Sequence, residues 1–340
     1  MDTEAISARL REKSVDLPGR RVLVTCFPGT EQEKDLTVPA NCNGFGRIHH
    51  FRRATSPGWP ENPLPIDPAC RHLGLPKADA IKAQVFQNAA CCWRCWYCFV
   101  PHDLLSGSSN HSQLLSAGEL IDTYLQQSDR SPVIDLTGGQ PELVPEWVPW
   151  MMRELRERGL EQAVYLWSDD NLSNDYVWQH LTQKDREYIA SYRGYGRVCC
   201  FKGFDAESFV FNTGAEPECF ARQFAFMRRL LNLGIDLYAY ATFTTPRRDS
   251  IKEGMPRFLD SLQAIHPNLP LRTIPLEIRL FTTVKARMNG LRQQAVENQR
   301  AAVEAWLDQL SARFSNGERA KCIVDVPFAR ESNASGASIS

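Results

Sequence analysis

The sequence predicts an α/β protein, a partial (β/α)6 barrel behind a loop-rich N-terminal extension. Strand-like runs begin near residues 85, 132, 163, 197, 236 and 274, steps that suit successive βα units of about thirty residues. Helical runs with one apolar face lie between them, and strand–helix alternation implies a parallel sheet with helices outside. Proline and glycine crowd upstream, through "SPGWPENPLPIDPAC" (56–70), where missing amide donors and fixed φ favour a meandering loop layer. The chain divides on this reading into an extension over the core (1–83), the barrel (84–316), and a last strand with a disordered tail (317–340).

The elements follow in order. The first twenty residues read as a polar helix or tail, and "RVLVTC" (21–26) as a short strand. The next stretch is irregular but aromatic, with Phe45, Phe51 and Trp59 beside Arg52 and Arg53, so it reads as an ordered cover. His49 and His50 sit in it as a polar loop face, a pocket for an anionic substrate or a peptide-docking surface. "AQVFQNA" (84–90) begins the core. "SAGELIDTYLQQ" (116–127) opens with a capping box from Ser116 to Glu119. "PVIDLT" (132–137), "AVYLWS" (163–168), "RVCCF" (197–201), "IDLYAYATFTT" (235–245) and "TIPLEIRLF" (273–281) are the later strands. Helices follow near 145–158, 174–187, 217–233 and 255–265, with a long one carrying Val303, Trp306 and Leu310. Alternation along the last core strand places Glu277 and Arg279 on one face, and Cys199 and Cys200 on opposite faces. "KCIVDVPF" (321–328) reads as a further strand.

The formal net charge of −1 over 340 residues argues against a nucleic-acid or membrane-surface protein. The N-terminus has no apolar h-region, and no run approaches the about 18 apolar residues of a membrane span. A cytoplasmic location follows as the expectation. In that compartment a tight cysteine cluster points to metal or catalysis more than to disulfides.

Such a cluster stands in "QNAACCWRCWYCFVP" (87–101), directly after the first core strand. In parallel β/α folds this is the active end of the sheet. Cys91, Cys95 and Cys98 are spaced C-x3-C-x2-C, with Cys92 as an extra thiol. Two metals compete. Cys92, Cys95, Cys98 and His102 can close a zinc site; three thiolates can instead hold an iron–sulfur cluster with one iron open. The same thiols in a non-catalytic zinc or iron–sulfur binding module are the alternative to an enzyme. Cys26, Cys42 and Cys70 lack ferredoxin-like spacing for a second cluster and read as small hydrophobes. After the second core strand comes "DLTGGQPEL" (135–143), where Gly138, Gly139 and Pro141 let backbone approach a ligand beside the cysteine loop.

"CCWRCWYC" with "GGQP" resembles the radical S-adenosylmethionine (SAM) superfamily, which carries an aromatic residue before its last cysteine, here Tyr97, and a Gly-Gly-Glu-Pro-like turn, here with Gln140. "YLWSDDNL" (165–172) and "CCFKGFDAESFVFNTG" (199–214) are similar to the group of pyruvate formate-lyase activating enzyme. Cys200 stands where that group has aspartate. The resemblance implies a radical SAM barrel and a [4Fe–4S] cluster on Cys91, Cys95 and Cys98. It implies SAM held by Tyr97, Gly138, Gly139, Pro141, Asp169 and Lys202. One electron from a flavodoxin- or ferredoxin-like donor would cleave SAM, and the 5′-deoxyadenosyl radical would take hydrogen from a protein, peptide or small metabolite.

Overall fold

The computed structural model describes residues 2–328; the tail expected at 331–340 lies outside them. The strands are β1 (Val15–Asp16), β2 (Arg21–Thr25), β3 (Gly46–Arg52), β4 (Ala80–Phe86), β5 (Ser112–Ser116), β6 (Val133–Leu136), β7 (Tyr165–Asp170), β8 (Tyr195–Phe201), β9 (Leu237–Thr242) and β10 (Thr273–Leu276). The helices are α1 (Thr3–Ser14), α2 (Ile66–Leu73), α3 (Ala117–Leu125), α4 (Trp147–Glu157), α5 (Tyr176–His180), α6 (Gln183–Ser191), α7 (Ala206–Thr213), α8 (Glu218–Leu231), α9 (Ile251–Ile265), α10 (Thr282–Lys285), α11 (Gly290–Arg313) and α12 (Asn316–Arg319).

Among the described residues, β4 and β6 to β10 form one parallel run in the order β10-β9-β8-β7-β6-β4, each strand pairing the next in register. This is the six-unit α/β partial barrel. It stays open, because β10 and β3 are its two edges. Val133, Tyr165, Trp167, Val198, Cys200, Tyr238 and Tyr240 face one side, and Leu64, Ile66, Ala69 and Cys70 pack onto them. Ile134, Leu136, Leu166, Cys199 and Phe201 face the other, against the apolar stripes of α3, α4, α8, α9 and α11. Cys200 therefore faces the concave side and Cys199 the helices.

Several sequence expectations need correction. "GRIHHFR" is not loop: it is β3, paired antiparallel to β4 from Gly46↔Phe86 to Arg52↔Ala80. Its charged, histidine-rich pattern hides it, as befits an edge strand. Helix α2 forms inside the proline-rich stretch and ends at Gly74 in the left-handed conformation (φ 64°). The last core strand stops at Leu276, so Glu277 and Arg279 do not line the barrel; they pair with each other at 2.7 Å, with the arginine exposed. Residues 321–328 form no strand, only a short turn at Ile323–Asp325. The helix expected near 174–187 is two, α5 and α6, the latter started by a Thr182–Asp185 capping box.

A second, three-stranded sheet (β1-β2-β5) lies beside the barrel. It continues into the segment before the cysteines: the Thr25 amide donates to the Gln87 carbonyl at 2.8 Å, and the Ala89 amide to the Leu23 carbonyl at 3.0 Å. The cysteine loop thus leaves the barrel through a sheet built by N-terminal sequence.

Candidate functional site

The cysteine loop is held from every side. The Cys91 amide donates to the Leu105 carbonyl (3.1 Å), and those of Arg94 and Trp96 to the Thr213 and Asn212 carbonyls (3.3 and 3.2 Å). Asn212 is the central clamp: its Oδ1 accepts from the Trp96 indole at 3.0 Å, while its Nδ2 donates to the Lys202 and Thr244 carbonyls. Arg287 donates to the Cys98 and Val100 carbonyls at 2.8 and 3.1 Å, and Arg94 to the Cys91 carbonyl. Helix α1 lies against the loop through Thr3, whose Oγ1 accepts from the Trp93 indole at 3.4 Å. Sequence reasoning missed Arg287 because nothing local marks a residue that arrives from the far end of the barrel. Asn212 had a signal, its place before the Thr-Gly of "FNTG".

The sulfurs are distinct. Among the described residues, Asn171 donates from Nδ2 to Cys91 Sγ at 3.8 Å. Burial pushes all three thiols up, Cys95 to about 11, and neighbouring cysteines push Cys91 and Cys95 further. Cys92 turns elsewhere, toward Ser7, Ser173 and Gln140. His102 half-buries its ring with Nε2 3.3 Å from the Cys95 carbonyl. Neither the Cys92 thiol nor the His102 nitrogen is arranged for the zinc set. Among the described residues no three Cys, His, Asp or Glu side chains converge as a preformed metal site.

Gly138 and Gly139 have φ of 81° and 63°, a region that side chains rarely adopt. A Cβ on Gly139 would sit 2.8 Å from the Ala90 carbonyl oxygen and closer still to that of Asn88. The turn after β6 thus lies flush against the cysteine loop. Gln140 is fully buried. Its Oε1 accepts from the Cys92 amide at 2.7 Å and its Nε2 donates to Ser173. It braces the loop, a role the sequence did not show. Gln140→Ala should therefore cost about 2–3 kcal/mol by urea denaturation, since it strands a buried amide. Gln140→Glu, which keeps the acceptor, should cost less. Pro141 opens a buried 3-10 turn (Pro141–Leu143).

Across from the loop, Tyr97 is buried with its hydroxyl 3.2 Å from Thr242 Oγ1. Lys202 Nζ has no hydrogen-bond partner among the described residues. Burial alone would lower its pKa, but Cys200, Tyr97, Cys95 and Asp169 around it outweigh that and hold it well above the usual value. Asp169 accepts from Thr137. Burial raises its carboxyl to about 6, against the pull of Thr137, Lys202 and Arg47. Cys91, Cys95, Cys98, Tyr97, Gly138, Gly139, Asp169 and Lys202 thus gather at one end of the barrel. The neighbouring Asp170 belongs to the other face, paired with Arg197 at 3.1 Å.

The raised Asp169 carboxyl has a consequence for stability. Between about pH 4 and pH 6 the folded state holds a proton that the unfolded chain has released, so stability falls as pH rises through that window. Asp169→Asn should match the wild type near pH 4 and exceed it by roughly 1–3 kcal/mol at neutral pH. Thermal melts across that range check this; a variant less stable at neutral pH contradicts it.

The donor set suits a cluster ligated by three cysteines. The sulfurs sit on one loop, where the Lys202 ammonium favours the thiolates of Cys95 and Cys98. A glycine cradle and an unpartnered ammonium adjoin them. Among the described residues the other cysteines form no preformed metal group, and Cys322 Sγ lies 3.2 Å from Asp67.

No protein-family model matches the chain, and no curated protein matches it. Among solved structures, it is similar to SuiB of Streptococcus suis bound to S-adenosylmethionine, at 15% identity and a TM-score of 0.45 over 67% of this chain and 47% of that one. SuiB bound to its precursor peptide SuiA aligns at 12% and 0.37, covering 60% and 51%. The anSMEcpe protein with bound AdoMet aligns at 12% and 0.38, covering 57% and 50%. The chain spans about half the length of these structures. No helix among the described residues is long and apolar enough to cross a membrane.

Proposed function

We propose that this protein is a radical SAM enzyme, with Cys91, Cys95 and Cys98 holding a [4Fe–4S] cluster. The observation that carries the reading is the meeting of three cysteine sulfurs on one loop with the Gly138–Gly139 cradle and with Lys202, unpartnered among the described residues, at one barrel end. When bound, the cluster and SAM supply a radical able to abstract hydrogen.

The chain's own residues bind, orient and shield. The flush packing of Gly139 on Asn88 and Ala90 fixes the cradle against the cysteine loop, so Gly138, Gly139 and Pro141 offer backbone groups to the SAM amino group. Lys202 meets the SAM carboxylate as a point charge. Asp169, held by Thr137, accepts from the amino group or ribose. Tyr97 offers its backbone to the adenine. Trp93, Trp96 and Tyr97, all buried, keep water from the loop. Electrons come from a flavodoxin- or ferredoxin-like donor. The activase-like group is the proposed subgroup on the strength of Lys202, with Cys200 in place of its aspartate. Reduced anaerobically with SAM, the protein should yield methionine and 5′-deoxyadenosine; a colourless zinc protein without SAM cleavage would refute the reading.

A further inference from the structure

One pair of buried charges is not used by any of these roles. Arg47 on β3 lies across from Val85 on β4, which lies across from Asp135 on β6. The three share a row on the concave face, one step below Thr137 and Asp169. Asp135 is 1% exposed and Arg47 6% exposed. Among the described residues neither carboxyl oxygen of Asp135 has a hydrogen-bond partner, and neither has Arg47 Nε. The guanidinium lies over the Phe99 ring, 5.2 Å from its centroid. It faces Asp135 and Asp169 electrostatically, yet among the described residues no ion pair joins it to either. Tyr240, whose hydroxyl accepts from Asn62 at 3.1 Å, lies near the same two carboxyl groups.

A buried carboxyl with two bare oxygens, and a buried guanidinium nitrogen without an acceptor, are each costly, and burial with Asp169 nearby holds the Asp135 carboxyl well above the usual range. A ligand that carries both an acceptor and a donor would satisfy both. Two strand spacings of about 4.8 Å separate the two backbones, and the side chains converge from either end of that row. The gap calls for a donor or cation toward Asp135 and an anion toward Arg47. A phosphate would meet two carboxylates beside a single arginine. A simple amine would leave Arg47 bare, and a simple acid would leave Asp135 bare.

We infer that Arg47 and Asp135 form a substrate site for a free α-amino acid, Arg47 taking its carboxylate and Asp135 its ammonium. This rests on the barrel end being the reaction site. It places the substrate directly beneath the cysteine loop, because Phe99, which supports Arg47, belongs to that loop. It also gives residues 46–64 a purpose, since Arg47, Asn62 and the packing of Leu64 all come from them.

The test is calorimetric titration of the full-length, cluster-reconstituted protein, saturated with SAM. The probes are each proteinogenic L-amino acid, its N-acetyl derivative and its C-terminal amide. At least one free amino acid should bind, and blocking either end should weaken it about tenfold or more. Asp135→Asn should erase the penalty of acetylation, and Arg47→Gln that of amidation. Burial and Asp169 hold the Asp135 carboxyl well above the usual carboxylate range, so Asp135→Asn takes away no charge the fold relies on, its melting temperature should not fall, and lost binding is not unfolding. Absence of binding by every free amino acid, or equal binding of blocked forms, overturns the inference. So does binding that SAM abolishes by competition. 5′-Deoxyadenosine formation, measured in parallel without amino acid, reports on the SAM reading by itself, and titration without SAM still decides the site if that reading fails.

Discussion

Cys95→Ala should abolish SAM cleavage, whereas Cys92→Ala should leave most of it. The two thiols are three residues apart and both are buried, so burial alone does not assign their roles. Their partners do. Cys95 faces Cys98 and the Lys202 ammonium. Cys92 sits among Ser7, Ser173 and Gln140, on the side of helix α1. A cluster with three protein ligands loses its hold when one is deleted, so iron and sulfide content should collapse with turnover in Cys95→Ala. The expected loss in rate is more than about a thousandfold, equivalent to over 4 kcal/mol in the barrier. Cys92→Ala should cost only packing, about 1 kcal/mol. Equal loss of iron in both variants, or turnover surviving in Cys95→Ala, would count against the assignment of Cys91, Cys95 and Cys98.

How much of this was legible in the sequence depends on the range of the cause. Core strands such as β8 and β9 are buried on both faces and read as apolar runs, and the Ser116–Glu119 capping box is a local signal that the structure reproduces in detail. Strand β3 was illegible because its stability comes from pairing with β4, a partner some forty residues away, and its own side chains are mixed. The last core strand was read too long because the alternation of Glu277, Ile278 and Arg279 continues after the backbone has left the sheet. At the site, spacing marked Cys91, Cys95 and Cys98, and double glycine marked the turn. The braces did not show. Gln140 occupies a motif position, but its bonds to Cys92 and Ser173 depend on how two loops meet. Arg47 and Asp135 become one feature only through the register of three strands.

Gly139→Ala should be the most damaging single methyl in the protein. Gly138 and Gly139 look equivalent in sequence, and both have positive φ. What a Cβ would meet differs. At Gly138 it would strike the Gln87 side chain, which can rotate away at the expense of its bonds to Thr25 and Gln32. At Gly139 it would strike the backbone of Asn88 and the carbonyl of Ala90, which are fixed by the bond from Ala89 to Leu23 and by the Asn88 side chain on the Ala90 amide. Backbone cannot rotate out of the way, so one of the two loops has to move. Strain at positive φ adds about 1–3 kcal/mol to the collision, and the total should exceed about 3 kcal/mol in urea denaturation. Gly138→Ala should lose less, about 1–2 kcal/mol. The loop that yields carries Cys91 next to Ala90, so Gly139→Ala should also bind less iron under conditions where it is still folded. A Gly139→Ala protein as stable as Gly138→Ala would mean the two loops are not in backbone contact, and the cradle would lose its physical basis.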